Sequence, residues 1–120
     1  MHRFKELTVW QKAVELATLV YSITKKFPDA EKFGLISQMN RSAVSIASNI
    51  AEGAGRNSNN EFAHFLGISI GSMCELETQT IIAQNLKYIL TEKSSVLSQK
   101  IDEIKNMTYR LQESLIKSKK

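Results

Sequence analysis

At 120 residues, 42% of them hydrophobic and 23% charged, the chain is long enough to bury roughly two-thirds of its unfolded surface as one domain, 1–120. Its single cysteine excludes an intramolecular disulfide framework, and no apolar run approaches membrane-spanning length, so a cytoplasmic protein with no membrane partner is expected. The net charge of +4 is concentrated at the chain ends (+2 over residues 1–30, +4 over 93–120, against −3 over 61–92), which permits a polyanionic partner without demanding one.

The first helix is predicted over 8–27, with Thr8-x-x-Gln11 as its cap and Pro28 as its stop. Val9, Ala13, Leu16, Val20, Ile23 and Phe27 form one apolar stripe, and Trp10, Val14, Ala17 and Tyr21 form a second beside it. Together they are wider than the face one core contact requires, so the second stripe either widens the core or meets another subunit. After a turn at Pro28-Asp29, where Asp29 can cap a short lead-in, a second helix is predicted over 34–53. Its apolar side is Leu35, Met39, Ala43, Ile46, Ile50 and Ala54. The opposite side reads Gln38, Arg41, Ser45, Asn49 and Glu52, either a solvated face or a polar groove or interface. Its central serine and asparagine are poor helix formers.

Gly53 and Gly55 are read as the helix stop, leaving through the left-handed region, and Ser58 with Glu61 has the spacing of a capping box. So short a connection makes its helices antiparallel neighbours. The third helix, 59–89, carries a core stripe of Phe62, Phe65, Leu66, Ser69, Met73, Leu76, Thr80 and Ala83. Ala63, Gly67 and Gly71 form a small-residue stripe on another face. Each interior glycine costs about 1 kcal/mol relative to alanine, which points to close helix approach. A helix apolar on two faces cannot turn both toward one core, and a second copy of the chain is the simplest cover. Trp10, Tyr21, Ala63, Gly67 and Gly71 are therefore the candidate oligomer interface. A fourth helix is predicted over 94–118, with Thr91 or Ser94 at its start and Leu97, Ile101, Ile104, Thr108, Leu111 and Leu115 as a narrow seam. Its charges fall into i,i+3 and i,i+4 pairs, Lys100–Glu103, Asp102–Lys105, Arg110–Glu113 and Glu113–Lys117. The fold class is all-α, an up-down-up-down antiparallel four-helix bundle.

Chemistry is scarce. Glu61-x-x-His64 has the spacing of di-iron bundles, but no second such pair exists. Cys74 has no cationic neighbour in sequence and reads as a buried small hydrophobe. Gly53-Ala-Gly55 lacks the strand and phosphate-reading pattern of a nucleotide loop. No catalytic residue, metal ligand or cofactor is assigned, and the chain is expected not to be an enzyme.

Several segments together resemble one family, the small four-helix-bundle 23S rRNA intervening-sequence proteins, which include the accessory variability protein of diversity-generating retroelements. They are Leu7-x-Val-Trp-Gln-Lys-Ala13, Phe27-Pro28 with Glu31 and Gly34-Leu35, Gln38-x-x-Arg41, Ser45, Asn49-Ile-Ala-Glu-Gly53, Arg56, Glu61-Phe62, Phe65-Leu66 and Gly71-Ser72-x-x-Glu75-Leu76-x-Thr78-Gln79. The likeness is close over about residues 4–90 and only patterned in the fourth helix. It implies a ring-like homopentamer that binds nucleic acid (RNA or DNA) or a reverse transcriptase. A closed pentamer would multiply the charge of +4 fivefold and gather the terminal cations Arg3, Lys5, Lys117, Lys119 and Lys120 on one rim. Arg41 and Arg56 would add phosphate contacts. The alternative is an oligomeric protein-interaction scaffold or regulator without nucleic-acid binding.

Overall fold

Stripes of helical period become four helices in the structure, a computed structural model that describes residues 2–117. They are α1 Thr8–Thr24, α2 Leu35–Ala54, α3 Asn59–Asn85 and α4 Thr91–Lys117, with 3₁₀ turns at Phe4–Glu6 and Asp29–Glu31. They run up-down-up-down in a rod of 49 × 22 × 20 Å, and no strand occurs among the described residues. α2 packs on α1 and α3, α3 packs on α4, and a sparser α1–α4 contact closes the square. Leu16, Val20, Met39, Ile46, Ile50, Phe62, Leu66, Met73, Leu76, Leu97, Ile101 and Ile104 fill its axis and are fully buried. Each such side chain contributes about 1.5–3 kcal/mol through burial.

The loops give the bundle two distinguishable ends. At the loop end, the α1–α2 and α3–α4 connections are tied together: the Tyr88 hydroxyl donates to Glu31 Oε2 at 3.1 Å, and the Phe27 and Tyr88 rings lie 5.6 Å apart. Glu31 Oε1 also accepts from the Leu35 N–H at 3.1 Å, satisfying one of the four orphan donors that begin α2. At the terminal end, the His2 N–H donates to the Ala54 carbonyl at 2.9 Å and the His2 ring lies 5.0 Å from Phe62.

Several boundaries and contacts differ from expectation for local reasons. Leu7, not Thr8, is the α1 cap and makes no side-chain capping bond; Gln11 instead donates from Nε2 to the Lys5 carbonyl at 2.8 Å. α1 stops at Thr24, and the chain continues to Phe27 through i→i−3 bonds before Pro28. The Asp29 carboxylate caps nothing, because Pro28 holds the N-cap position of that turn without a side-chain bond. α3 ends four residues early, at Asn85. Lys87 sits in the left-handed region at φ 64°, Tyr88 N–H donates to Ala83 O and Lys87 N–H to Gln84 O, the two bonds of a Schellman motif. α4 begins at Thr91, so Ser94 is not its cap; its hydroxyl donates to Gln84 Oε1 at 2.6 Å.

Neither Gly53 nor Gly55 uses the left-handed region, since no glycine among the described residues has positive φ. Gly53 is required by packing. A Cβ there would lie 2.8 Å from Phe65 Cβ and 2.9 Å from Phe62 Cδ1, so α2 and α3 touch at that point. The Ser58 cap forms as expected: its Oγ accepts the Glu61 N–H at 3.1 Å and donates to Glu61 Oε2 at 3.3 Å. On α4, Lys117–Glu113 forms at 3.5 Å, but Lys105 crosses to Glu77 of α3 at 3.1 Å and Glu103 to Lys12 of α1 at 3.4 Å. The charges of α4 therefore staple it to its neighbours more than they pair along it. Burial works against the Lys105 ammonium, but its Glu77 hydrogen bond and charge outweigh that and raise its pKa.

Candidate functional site

The polar side of α2 divides in two. Ser45 and Asn49 are half-buried in the α2–α3 seam. The Ser45 and Ser72 hydroxyls lie 2.8 Å apart, and Asn49 Nδ2 donates to both the Ser45 carbonyl and its hydroxyl at 2.9 Å. One turn away, the buried Ser69 hydroxyl donates to the Ile46 carbonyl at 2.8 Å. Small polar residues here satisfy one another between closely packed backbones. Gln38, Arg41 and Glu52 are exposed.

The second stripe of α1 does not enter the core completely. Trp10, Val14, Ala17 and Tyr21 form one wall of an open groove of about 590 Å³, and Val44, Ala47, Ser48 and Ala51 of α2 form the other. Phe4 closes the terminal end of the groove, its ring 5.2 Å from Trp10 and near-perpendicular to it. The α2 wall was missed in the sequence because its residues fall between the apolar and polar stripes. A shared helical register with α1 was the signal available.

α3 has an outer face that no described residue covers. Gly67, Ile68, Gly71, Cys74, Thr78, Ile81 and Ile82 are exposed, and Glu75 is the one ionised group among them. Cys74 is thus exposed, not buried. A Cβ at Gly71 would meet nothing within 4 Å, and one at Gly67 only Gln112 Nε2 at 3.5 Å, so no helix of the same chain explains those glycines. Ala63, by contrast, is buried, and its carbonyl accepts from Gln112 Nε2 of α4 at 2.9 Å. Ile81 and Ile82 were legible in the run Thr80-Ile-Ile-Ala83, because four successive positions point round the circumference of a helix and cannot all face one core.

The proposed cations mostly have carboxylate neighbours. Arg3 lies 3.9 Å from Glu6, Arg56 2.9 Å from Glu52, and Lys117 3.5 Å from Glu113, all at exposed positions. Arg56 also covers the Phe65 ring, 4.7 Å from its centroid. Lys5 has no ion-pair partner among the described residues, and Lys119 and Lys120 lie outside them. Arg3, Lys5, Arg56 and Lys117 share the terminal end. Arg41 does not, being thirteen residues from the end of α2, about 20 Å along its axis.

Glu61 is occupied by the Ser58 cap and His64 packs edge-on to Phe65 at 5.5 Å. Among the described residues no group of three or more His, Cys, Asp or Glu could hold a metal ion, and no helix is long and apolar enough to cross a membrane.

Against known proteins, the family described as 23S rRNA-intervening sequence protein matches residues 5–110. Among solved structures, the chain is similar to a protein of unknown function from the S23 ribosomal protein family of Bacteroides thetaiotaomicron. They share 25% identity at a TM-score of 0.81, covering 87% of this chain and 97% of the other. No curated protein matches the chain.

Proposed function

The chain belongs to the 23S rRNA-intervening sequence protein family, and from that premise we propose that it is a non-enzymatic, self-assembling accessory protein that binds nucleic acid. The observation that carries this reading is the pair of unlike apolar surfaces, the α1–α2 groove and the outer face of α3. A helix apolar all round belongs in an interior, and α3 spans ~40 Å with one flank uncovered. Two unlike surfaces favour head-to-tail contact, and head-to-tail contact closes into a ring where the rotation allows. The homopentamer implied by the family resemblance is such a ring. Trp10 and Tyr21 supply the groove, and Gly67 and Gly71 let the facing backbone come close. A ring would gather single-chain charge that is too small to hold a polyanion by itself.

A second reading, a scaffold that binds protein such as a reverse transcriptase, draws support from the carboxylates beside Arg3, Arg56 and Lys117. Each competes with phosphate for its cation.

Sedimentation and light scattering test assembly. The wild type is expected to be a closed oligomer, and Ile82→Lys on α3 or Val14→Lys in the groove, both exposed positions, should each release folded monomer. A monodisperse wild-type monomer at micromolar concentration would reject the reading. Gel shifts with structured RNA and duplex DNA across a salt series separate the two functions. Nucleic-acid binding must weaken steeply with salt, and no shift with either probe leaves the scaffold.

A further inference from the structure

The opposite end of the bundle, where the two loops meet, carries what the terminal end lacks. Lys25, Lys26, Lys32, Lys87 and Lys93 all lie in or beside the α1–α2 and α3–α4 connections, and none is ion-paired among the described residues. Helix dipoles account for Lys25, Lys26 and Lys87, which follow the C-termini of α1 and α3. They do not account for Lys32 and Lys93, which sit at the N-terminal side of α2 and α4, where a cation is disfavoured. Phe33 is 88% exposed, with the Lys32 ammonium 5.5 Å from its ring centroid, and Leu90 is 70% exposed.

Beside this tip lies an open recess of about 490 Å³ between α1 and α2, lined by Tyr21, Ser22, Thr24, Lys25, Phe27, Asp29, Lys32, Ile36 and Asn40. Its chemistry is mixed in a specific way. Lys25 and Lys32 supply positive charge, the adjoining Phe33 supplies an exposed aromatic ring, and Asn40 supplies an amide. That amide is anchored: the buried Thr24 hydroxyl donates to Asn40 Oδ1 at 2.8 Å, while Asn40 Nδ2 has no partner among the described residues. Asp29 accepts hydrogen bonds only, which suits a ribose hydroxyl and repels phosphate.

We propose that this recess and the adjoining Phe33 tip are a binding site for single-stranded RNA. Lys25 and Lys32 neutralise backbone phosphates, an unstacked base lies against Phe33, Asn40 Nδ2 donates to a base carbonyl, and Asp29 accepts from a 2′-hydroxyl. Lys25 and Lys32 are in no ion pair among the described residues, and the five lysines of this end outnumber Asp29, Glu31 and Glu92, which favours a polyanion. A concave recess of mixed polar and apolar lining favours a splayed nucleotide over a lipid surface, which would meet only the convex tip. The site rests on the nucleic-acid reading above but moves it from the terminal end to the loop end.

The test is fluorescence anisotropy of the full-length wild type with a labelled uridine-rich single-stranded RNA over a salt series. The variants are Lys25→Gln/Lys32→Gln, Asn40→Ala and, at the other end, Lys5→Gln/Lys117→Gln, with circular dichroism as the fold check. The Lys25/Lys32 variant should bind at least about tenfold more weakly, with a salt slope lower by about 1.4, two contacts' worth for a single strand. Asn40→Ala should lose about fivefold with the slope unchanged, as a neutral hydrogen bond does. The Lys5/Lys117 variant should stay within about twofold. If Asn40→Ala fails to fold, the exposed lysine pair decides. Binding lost in Lys5/Lys117 and kept in Lys25/Lys32 overturns the recess and leaves the nucleic-acid reading standing. No binding of this RNA, structured RNA or duplex DNA by the wild type overturns both. Binding to phosphatidylserine vesicles but not to the RNA overturns the recess in favour of a membrane surface.

Discussion

Gly53→Ala and Gly71→Ala change the same atom at two helical glycines and should have opposite effects. At Gly53 the new Cβ would lie 2.8 Å from Phe65 Cβ, 2.9 Å from Phe62 Cδ1 and 3.2 Å from the Phe62 carbonyl. Phe65 Cβ and the Phe62 backbone cannot rotate away, so α2 and α3 must separate by about half an ångström at their closest point, an overpacking cost of about 1–3 kcal/mol. Better helix propensity returns about 1 kcal/mol, leaving a net loss of up to about 2 kcal/mol. At an unfolding entropy of about 2.1 cal/mol/K per residue, 1 kcal/mol shifts the melting temperature of 120 residues by about 4 °C. Gly53→Ala should therefore melt up to about 8 °C low in a circular-dichroism scan. Gly71→Ala meets no described atom within 4 Å and should gain up to about 1 kcal/mol, about 4 °C, in a dilute monomer. Where copies assemble through α3, the sign at Gly71 should reverse as concentration rises. A Gly53→Ala protein that melts above the wild type would refute the close-approach reading.

Lys87→Gly removes the steric strain of a left-handed lysine and should stabilise by about 1 kcal/mol, read as a higher melting temperature; a loss would mean that the lysine side chain contributes more than its backbone costs. Ser58→Ala deletes the α3 cap bond and should cost about 1 kcal/mol, measured by urea unfolding with an unchanged m-value. Alkaline pH should destabilise the fold through two groups. Tyr88 is raised first by its hydrogen bond to Glu31, and Lys105 by Glu77 against the opposing effect of burial. Both folded pKa values lie above the unfolded ones, so the contribution is complete below about pH 10 and is lost as pH rises through the folded values. Tyr88→Phe should flatten part of that dependence in an alkaline melting series, and an unchanged profile would discount the Tyr88–Glu31 link.

Helix existence was legible because buried positions repeat at helical spacing, and every residue of the α2 apolar stripe from Leu35 to Ala54 is buried. The Ser58 cap was legible because its donor lies three residues away. The end of α3 was not. Asn85-Leu-Lys-Tyr88 contains no glycine, and apolar Ile89 carries the pattern past the stop. Gly53 was legible as special but not as to why: glycine serves both chain reversal and close approach, and only the α2–α3 register brings Phe62 and Phe65 beneath it. Glu113–Lys117 formed on α4, but Lys100–Glu103 and Asp102–Lys105 gave way for an energetic reason. An i,i+4 pair contributes only about 0.3–0.5 kcal/mol, so partners on a facing helix, Glu77 for Lys105 and Lys12 for Glu103, readily displace it. The seam of Ser45, Asn49 and Ser72 was half legible, since its residue types argued against water and its partner helix was hidden.

The loop-end lysines were invisible because sequence charge counts do not distinguish a paired cation from a free one. The chain ends hold the basic excess, yet Arg3, Arg56 and Lys117 each have a carboxylate within 4 Å. Exposed pairs of this kind contribute at most about 1 kcal/mol, so phosphate could displace them. The carboxylate would then remain beside the phosphate, cancelling much of the gain. The loop end holds five lysines that are in no ion pair among the described residues, against Asp29, Glu31 and Glu92. Glu31 is already committed to Leu35 N–H and Tyr88. In the proposed ring, subunits of common orientation would put all loop ends on one rim and all terminal ends on the other. Net charge would be similar whichever rim were used, but the number of counterions released would not. The salt slope, which counts released ions and not formal charge, is therefore the measurement that identifies the rim.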